Sequence, residues 1–187
     1  EEAIALLTRF DEQHPRHRFA FGTRLALGAY FFEQAAFEQA LRTLGQVLEG
    51  SPTSDQASRA LYWMAESAFS LDRPDEGLGY LERIIVEHAQ TEVAAKAAYA
   101  VAYRLVALER MEAAATAFER LDRQFGSSTH ARDIGLALAE VYYAIGDFAR
   151  AAEDIERRLP NATGSTRDRA MFLLAESQNQ LRRSDQA

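Results

Sequence analysis

Phe37-Glu-Gln-Ala40, Met111-Glu-Ala-Ala114 and Phe148-Ala-Arg-Ala151 are three versions of one phrase. Their closing alanines fall on a 37-residue step, and the same step from Ala40 reaches Gly77 forwards and Ala3 backwards. From Ala151 a step of 36 reaches Ala187. A second series lies 12 residues before each member: Gly28, Ala65, Ala102, Ala139 and Ala175. All eleven positions hold Gly or Ala. These two types make up roughly a quarter of the chain, so chance gives such a match about once in several million. The sequence is a repeat.

Larger side chains keep the same step. Four residues after the first series come Leu7, Leu44, Leu81, Phe118 and Ile155. One before the second come Leu27, Met64, Val101, Leu138 and Leu174, and three after it come Phe31, Ala68, Leu105, Tyr142 and Gln178. Spacings of three and four lie on one helical face. Each unit is therefore two amphipathic helices, A then B, antiparallel because the turn is short. Their closest crossing admits only Gly or Ala. A Leu at Ala114 or Ala139 should cost roughly 1–3 kcal/mol by overpacking. No pair can bury its apolar face alone, so each depends on its neighbours.

Breaker residues agree with this phase. Pro15 and Pro52 share a position after helix B, where a helix does not easily continue. Asp72-Arg-Pro74 and Gly146-Asp147 sit at A-to-B turns. Ser127-Ser-Thr129 and Thr91-Glu92 offer N-caps, and Ser165-Thr-Arg-Asp168 reads as a capping box with Asp for Glu. Pro160 truncates one helix B, where the repeat is one residue short. Arg158 stands in a phase that elsewhere holds Phe10, Val47, Ile84 and Leu121.

Composition narrows the classes. The 187 residues are 48% apolar and 26% charged, as in a folded chain. A net charge of −7 argues against nucleic acid or an anionic membrane as partner. Without Cys there is no disulfide, thiolate metal site or Cys nucleophile. Four Pro and ten Gly are too few for a many-stranded β fold. No apolar run is long enough to span a bilayer; the best, Ala97 to Tyr103, stops at Arg104. No signal peptide is visible, and the localisation stays open between bacterial periplasm and cytoplasm.

Leu27-Gly28-x-x-Phe31, Leu138-Ala139-x-x-Tyr142 and Ala114-x-x-x-Phe118, with Pro15 and Pro52, resemble the tetratricopeptide repeat over the whole chain. The step is 37 and not 34, and the family's helix-A Trp site holds Arg24, Leu61, Ala98, Gly135 and Met171. The longer step, with Glu140-Val-Tyr-Tyr143, is similar to bacterial variants, among them periplasmic Tol-associated proteins and outer-membrane-assembly lipoproteins. The resemblance implies an all-α fold, a right-handed α-solenoid of antiparallel helix pairs. Its units are expected at 1–15 (a leading helix B), 16–52, 53–89, 90–126, 127–163 and a partial 164–187. Ala3, Ile4, Leu6, Leu7 and Phe10 then lack the helix A they would pack on. The expectation is that the native protein continues on at least one side, or that a second copy covers the bare helix.

The family binds peptides in a concave surface lined by helix A. Carried over, the lining positions are Leu25, Tyr62, Tyr99, Leu136 and Phe172; Phe32, Phe69, Val106, Tyr143 and Asn179; and Ala29, Glu66, Tyr103, Glu140 and Glu176. From these the expected groove is Tyr62, Glu66, Phe69, Tyr99, Tyr103, Leu136, Glu140 and Tyr143. Tyrosines can face water with the hydroxyl and apolar surface with the ring. The carboxylates suit a segment with apolar anchors and basic character. An aromatic at helical spacing also serves as packing between helices, which competes with the groove reading at every position. The family's carboxylate clamp is not matched; only Arg59, Lys96 and Arg169 place cations at the start of helix A.

Catalytic and metal signals are missing. The sequence has no Gly-rich phosphate loop, His-Glu-x-x-His or Gly-x-Ser-x-Gly. His14-Pro-Arg-His17 lies in a turn without a third ligand, and His14 and His88 share a late helix-B phase that suits a structural role; His130 is the fourth His. Glu82-Arg83, Glu119-Arg120 and Glu156-Arg157-Arg158 read as a solvated charged face. The expected function is a protein–protein interaction scaffold, not an enzyme, with no cofactor or metal and an unidentified protein or peptide partner. The alternative is a structural or self-associating module, or an accessory domain of a larger bacterial envelope or multidomain protein.

Overall fold

A computed structural model describes residues 2–126, 134 and 136–184. Among them the regular structure is helical throughout: α1 Glu2–Gln13, α2 Ala20–Glu33, α3 Phe37–Leu48, α4 Ser54–Ser70, α5 Pro74–Glu87, α6 Glu92–Ala107, α7 Met111–Phe125, α8 Ala137–Ala144, α9 Phe148–Arg158 and α10 Gly164–Ser184. A single 3₁₀ turn, Leu159–Asn161, carries Pro160 and ends α9. The chain forms two compact units, Glu1–Ala97 and Ala98–Ala187. The division falls within α6.

The helices pair through turns of one design. Ala35, Asp72, Glu109 and Gly146, each 37 residues from the next, have positive φ of 57°, 58°, 57° and 79°. In every case the following N–H bonds the carbonyl five residues back: Ala36 to Phe31, Arg73 to Ala68, Arg110 to Leu105 and Asp147 to Tyr142, all at 2.9 Å. This closes the helix by a left-handed cap and reverses the chain in three residues. In the first unit α2 packs on α3 and α4, and α4 on α5; in the second α8 packs on α7 and α9, and α9 on α10.

The small residues lie where helices touch. Gly28, Ala40, Ala65, Gly77, Ala102, Ala114, Ala139 and Ala151 are all buried. Leu44 presses on Gly28 and the Phe69 ring on Gly77. Leu44, Leu81, Phe118 and Ile155, four residues beyond their small partners, have no exposed surface. In the first unit Leu25, Ala40, Leu44, Val47, Ala60 and Met64 form a core ringed by Phe21, Phe31, Phe32 and Trp63. In the second, Leu136, Ala139, Ile155 and Ala170 do so with Leu173 and Leu174 around them. Ala3 and Ala175 are exposed, α1 has no buried residue, and α10 turns Met171 and Phe172 to solvent. Ala187 lies outside the described residues.

Capping follows the expected chemistry only in part. Thr53 and Gln56 form a reciprocal capping box at α4, and Asp147 caps α9 by accepting the Arg150 N–H at 3.1 Å. That backbone bond, with the Arg150 guanidinium, holds the Asp147 carboxyl below the usual carboxylate range. Thr91 instead donates its hydroxyl back to the His88 carbonyl at 2.8 Å. Helix α10 begins at Gly164, so Ser165 lies inside its first turn. Ser127, Ser128, Thr129 and His130 lie outside the described residues.

Candidate binding site

Tyr99 and Tyr103, four residues apart on α6, fall on one helical face, with ring centroids 4.5 Å apart and the planes tilted by 35°. The Tyr103 ring then meets Phe118 edge-on at 5.1 Å. Phe118 is fully buried in α7, so it fixes the tyrosine from below. Helix α8 supplies the opposite wall through Ala137, Glu140, Val141 and Ala144, whose spacing puts them on one face. With Val106 and Met111 these residues enclose a cavity of about 220 Å³. Its walls are apolar apart from the Tyr103 hydroxyl and the Glu140 carboxylate. Glu140 is 39% exposed and pairs with Arg169 Nε of α10 at 2.5 Å.

The structure brings Tyr99, Tyr103 and Glu140 to this corner of the second unit. Tyr143 lies on the same helix as Glu140 but packs edge-on against Phe148 at 5.2 Å. Leu136 is 8% exposed and belongs to the core around Ile155. The first unit holds the other three groove positions. Tyr62 contacts Trp63 and receives the Lys96 ammonium 4.2 Å above its ring, a cation–π contact. Phe69 is pressed on Gly77, and Glu66 is half-buried within α4. Met111, Phe118, Ala137, Val141 and Ala144 were not among the expected groove residues. The signal for the last three was their one-face spacing with Glu140.

A second cleft of about 280 Å³ lies in the same unit, lined by Glu119, Asp122, Tyr142, Arg150, Asp154 and Arg157 among others. Tyr142 donates its hydroxyl to Glu119 Oε1 at 2.7 Å, and Arg150 lies 4.7 Å over the Tyr142 ring. Burial, then the Glu119 carboxylate, push the Tyr142 phenol up to about 12. Asp154, 4% exposed, accepts Arg158 Nε at 3.0 Å and also pairs with Arg157; both guanidiniums reach Asp122 at 3.4 and 3.6 Å. Glu119 and Arg158 are therefore half-buried and leave the solvated face, whereas Arg157 stays exposed on it. All three tie α7 to α9, because Arg158 stands where other repeats place an aliphatic side chain and must bring a counter-ion with it. The reading as a solvated face does describe Arg83, whose Nε pairs with exposed Glu87 at 3.2 Å.

His14 and His17 pack on Phe10 at 5.3 and 5.4 Å, and His88 Nδ1 lies 2.8 Å from Ser54 Oγ. Among the described residues no three metal-ligating side chains come together, and no helix is long and apolar enough to cross a membrane.

Paired helices with one periodic turn, packed through small residues, define a helical-repeat protein of the tetratricopeptide class, the fold of a protein–protein interaction scaffold. A tetratricopeptide-repeat family model matches residues 59–91, and the model of the YfiO family, described as outer membrane lipoprotein, matches residues 91–185. The chain belongs to the YfiO family of tetratricopeptide-repeat proteins, and tetratricopeptide-repeat proteins are typically non-catalytic. The comparison with curated proteins gives no match. Among solved structures the chain is similar to MamA, with 16% identity, a TM-score of 0.60, and coverage of 99% of this chain and 90% of that one. It is also similar to a putative kinesin light chain of Podosopora anserina with nearly identical TPR-like repeats (14%, TM-score 0.62, 91% of each chain) and to BtubC from P. vanneervenii (15%, TM-score 0.61, 95% of this chain and 82% of that one). At these identities the likeness is one of fold.

Proposed function

We propose that the chain binds a segment of a partner protein, and that the Tyr103–Glu140 cavity receives one apolar side chain of that segment. The observation that carries this is the cavity itself: mostly apolar walls, an aromatic floor resting on buried Phe118 and one carboxylate, in a fold used for protein interaction. Tyr99 and Tyr143 extend the surface within the second unit. Tyr62, Glu66 and Phe69 form a separate contact region in the first. The same reading makes the chain a binder and not an enzyme, with repeats divided at 16, 53, 90, 127 and 164; the four turns on a 37-residue step support that division. The family's description as outer membrane lipoprotein supports a partner in the bacterial envelope.

Ala144 is exposed at the mouth of the cavity. Ala144→Trp should block entry without deleting any existing contact. A partner captured from the native host and retained by this variant, with an unchanged thermal melt, would refute the assignment. A second reading, self-association, rests on exposed Met171 and Phe172, the latter 67% exposed on α10. Sedimentation across a concentration range separates the two, since a strict monomer excludes it.

A further inference from the structure

Glu140 brings the one charged group among the residues lining the cavity, and a cation of the same chain already lies on it. Arg169 is 71% exposed, and Glu140 is its one ion-pair partner among the described residues. A pair so exposed is held weakly, because solvent screens it and a long side chain must be immobilised. The first unit repeats the arrangement on its own: exposed Lys96 covers the Tyr62 ring. Both cations stand near the start of a helix A, and each lies on a residue of the expected groove, Lys96 on Tyr62 and Arg169 on Glu140.

We propose that Arg169 is a built-in competitor, and that the partner segment carries a Lys or Arg beside its apolar anchor. The anchor fills the cavity between α6, α7 and α8. Its neighbouring cation takes the Glu140 carboxylate, and Arg169 swings into solvent. Charge complementarity favours this occupant: the rim group is an exposed carboxylate on a chain of net charge −7. An acidic segment would meet Glu140 at the same rim and be repelled. The inference rests on the reading of the cavity as a binding site, and the experiment separates the two.

The probes are three ring compounds of similar size, benzylamine (a cation), benzyl alcohol (neutral) and phenylacetate (an anion), titrated into the ¹⁵N-labelled chain. Shifts are followed at the Tyr103, Val106, Glu140 and Val141 amides. Benzylamine should bind best and phenylacetate worst. Arg169→Gln should strengthen benzylamine about two- to fivefold, the range set by an exposed ion pair, and leave benzyl alcohol unchanged. Arg169→Lys, which keeps a competing charge, should stay within about twofold of the native chain. Glu140→Gln should reduce benzylamine to the level of benzyl alcohol. If Arg169→Gln weakens benzylamine, or if the three probes bind alike, the competitor role is overturned while the cavity stands. If none of the three moves these amides, the cavity reading fails and the competitor role with it.

Discussion

Leu44 lies so close over Gly28 that a Cβ built on the glycine would stand 2.4 Å from Leu44 Cγ and Cδ2. Cγ is near the fixed end of the side chain, so rotation does not clear it. Gly28→Ala gains about 1 kcal/mol of helix propensity but forces α2 away from α3, which costs about 1–3 kcal/mol. The variant should be less stable. Gly45, on α3, has open space around its Cα. Gly45→Ala should therefore stabilise by about 0.5–1 kcal/mol. Urea midpoints of both variants check the contrast; equal signs would show that the crossing is looser than described.

The four left-handed turn residues make a graded set. Ala35 and Glu109 have a Cβ in a conformation that costs a non-glycine residue about 1–2 kcal/mol. Part of that is offset by the greater freedom of glycine in the unfolded chain. Ala35→Gly and Glu109→Gly should each raise stability by about 0.5–1 kcal/mol, and Gly146→Ala should lower it by about 1 kcal/mol. Asp72→Gly should gain least, because a short polar side chain tolerates this region. Thermal melts of the four variants give the ranking.

The repeat was legible because its crossings tolerate only Gly and Ala, and that requirement leaves a mark in residue type. The turns repeat just as strictly but leave almost none: Ala, Asp, Glu and Gly occupy one conformation, and only Asp72-Arg-Pro74 and Gly146-Asp147 look like turns. Arg158 was visible as a charge in an aliphatic phase, and Asp154 stands four residues before it on the same helix, a spacing open to reading; Asp122 comes from α7 and shows no such spacing. Of the expected groove, Tyr103 and Glu140 were reachable because both project from helix A. That Tyr103 rests on Phe118 depends on how α6 and α7 are packed, which periodicity does not specify.

Asp154 is nearly excluded from solvent and holds both Arg157 and Arg158. Asp154→Ala leaves Arg158 with Asp122 at 3.4 Å and no second carboxylate. Because both guanidiniums retain water, the loss should be about 1–3 kcal/mol, below that for a fully buried pair. Adding Arg158→Leu, in the phase of Val47, Ile84 and Leu121, should recover most of it, since an apolar replacement removes the charge that needs a partner. A double-mutant cycle in urea measures this. Additive losses would mean that Arg158 is held by something other than Asp154.

Alkaline pH tests the Tyr142–Glu119 contact. The phenol is pushed up to about 12 from an ordinary value of 10.0, and Tyr80, which donates to Glu76 at 2.8 Å, is pushed up to about 12 as well. Between pH 10 and 12 the unfolded phenols release their protons while the folded ones keep them. The folded state then binds more protons, so stability must fall as pH rises through this window. Below pH 10 both states are neutral and the contribution is fully present. The urea midpoint should therefore hold steady from pH 8 to 10 and decline from 10 to 12. Tyr142→Phe with Tyr80→Phe should flatten that decline, because neither ring then has a proton to lose. A decline as steep in the double variant would place the alkaline sensitivity elsewhere in the chain.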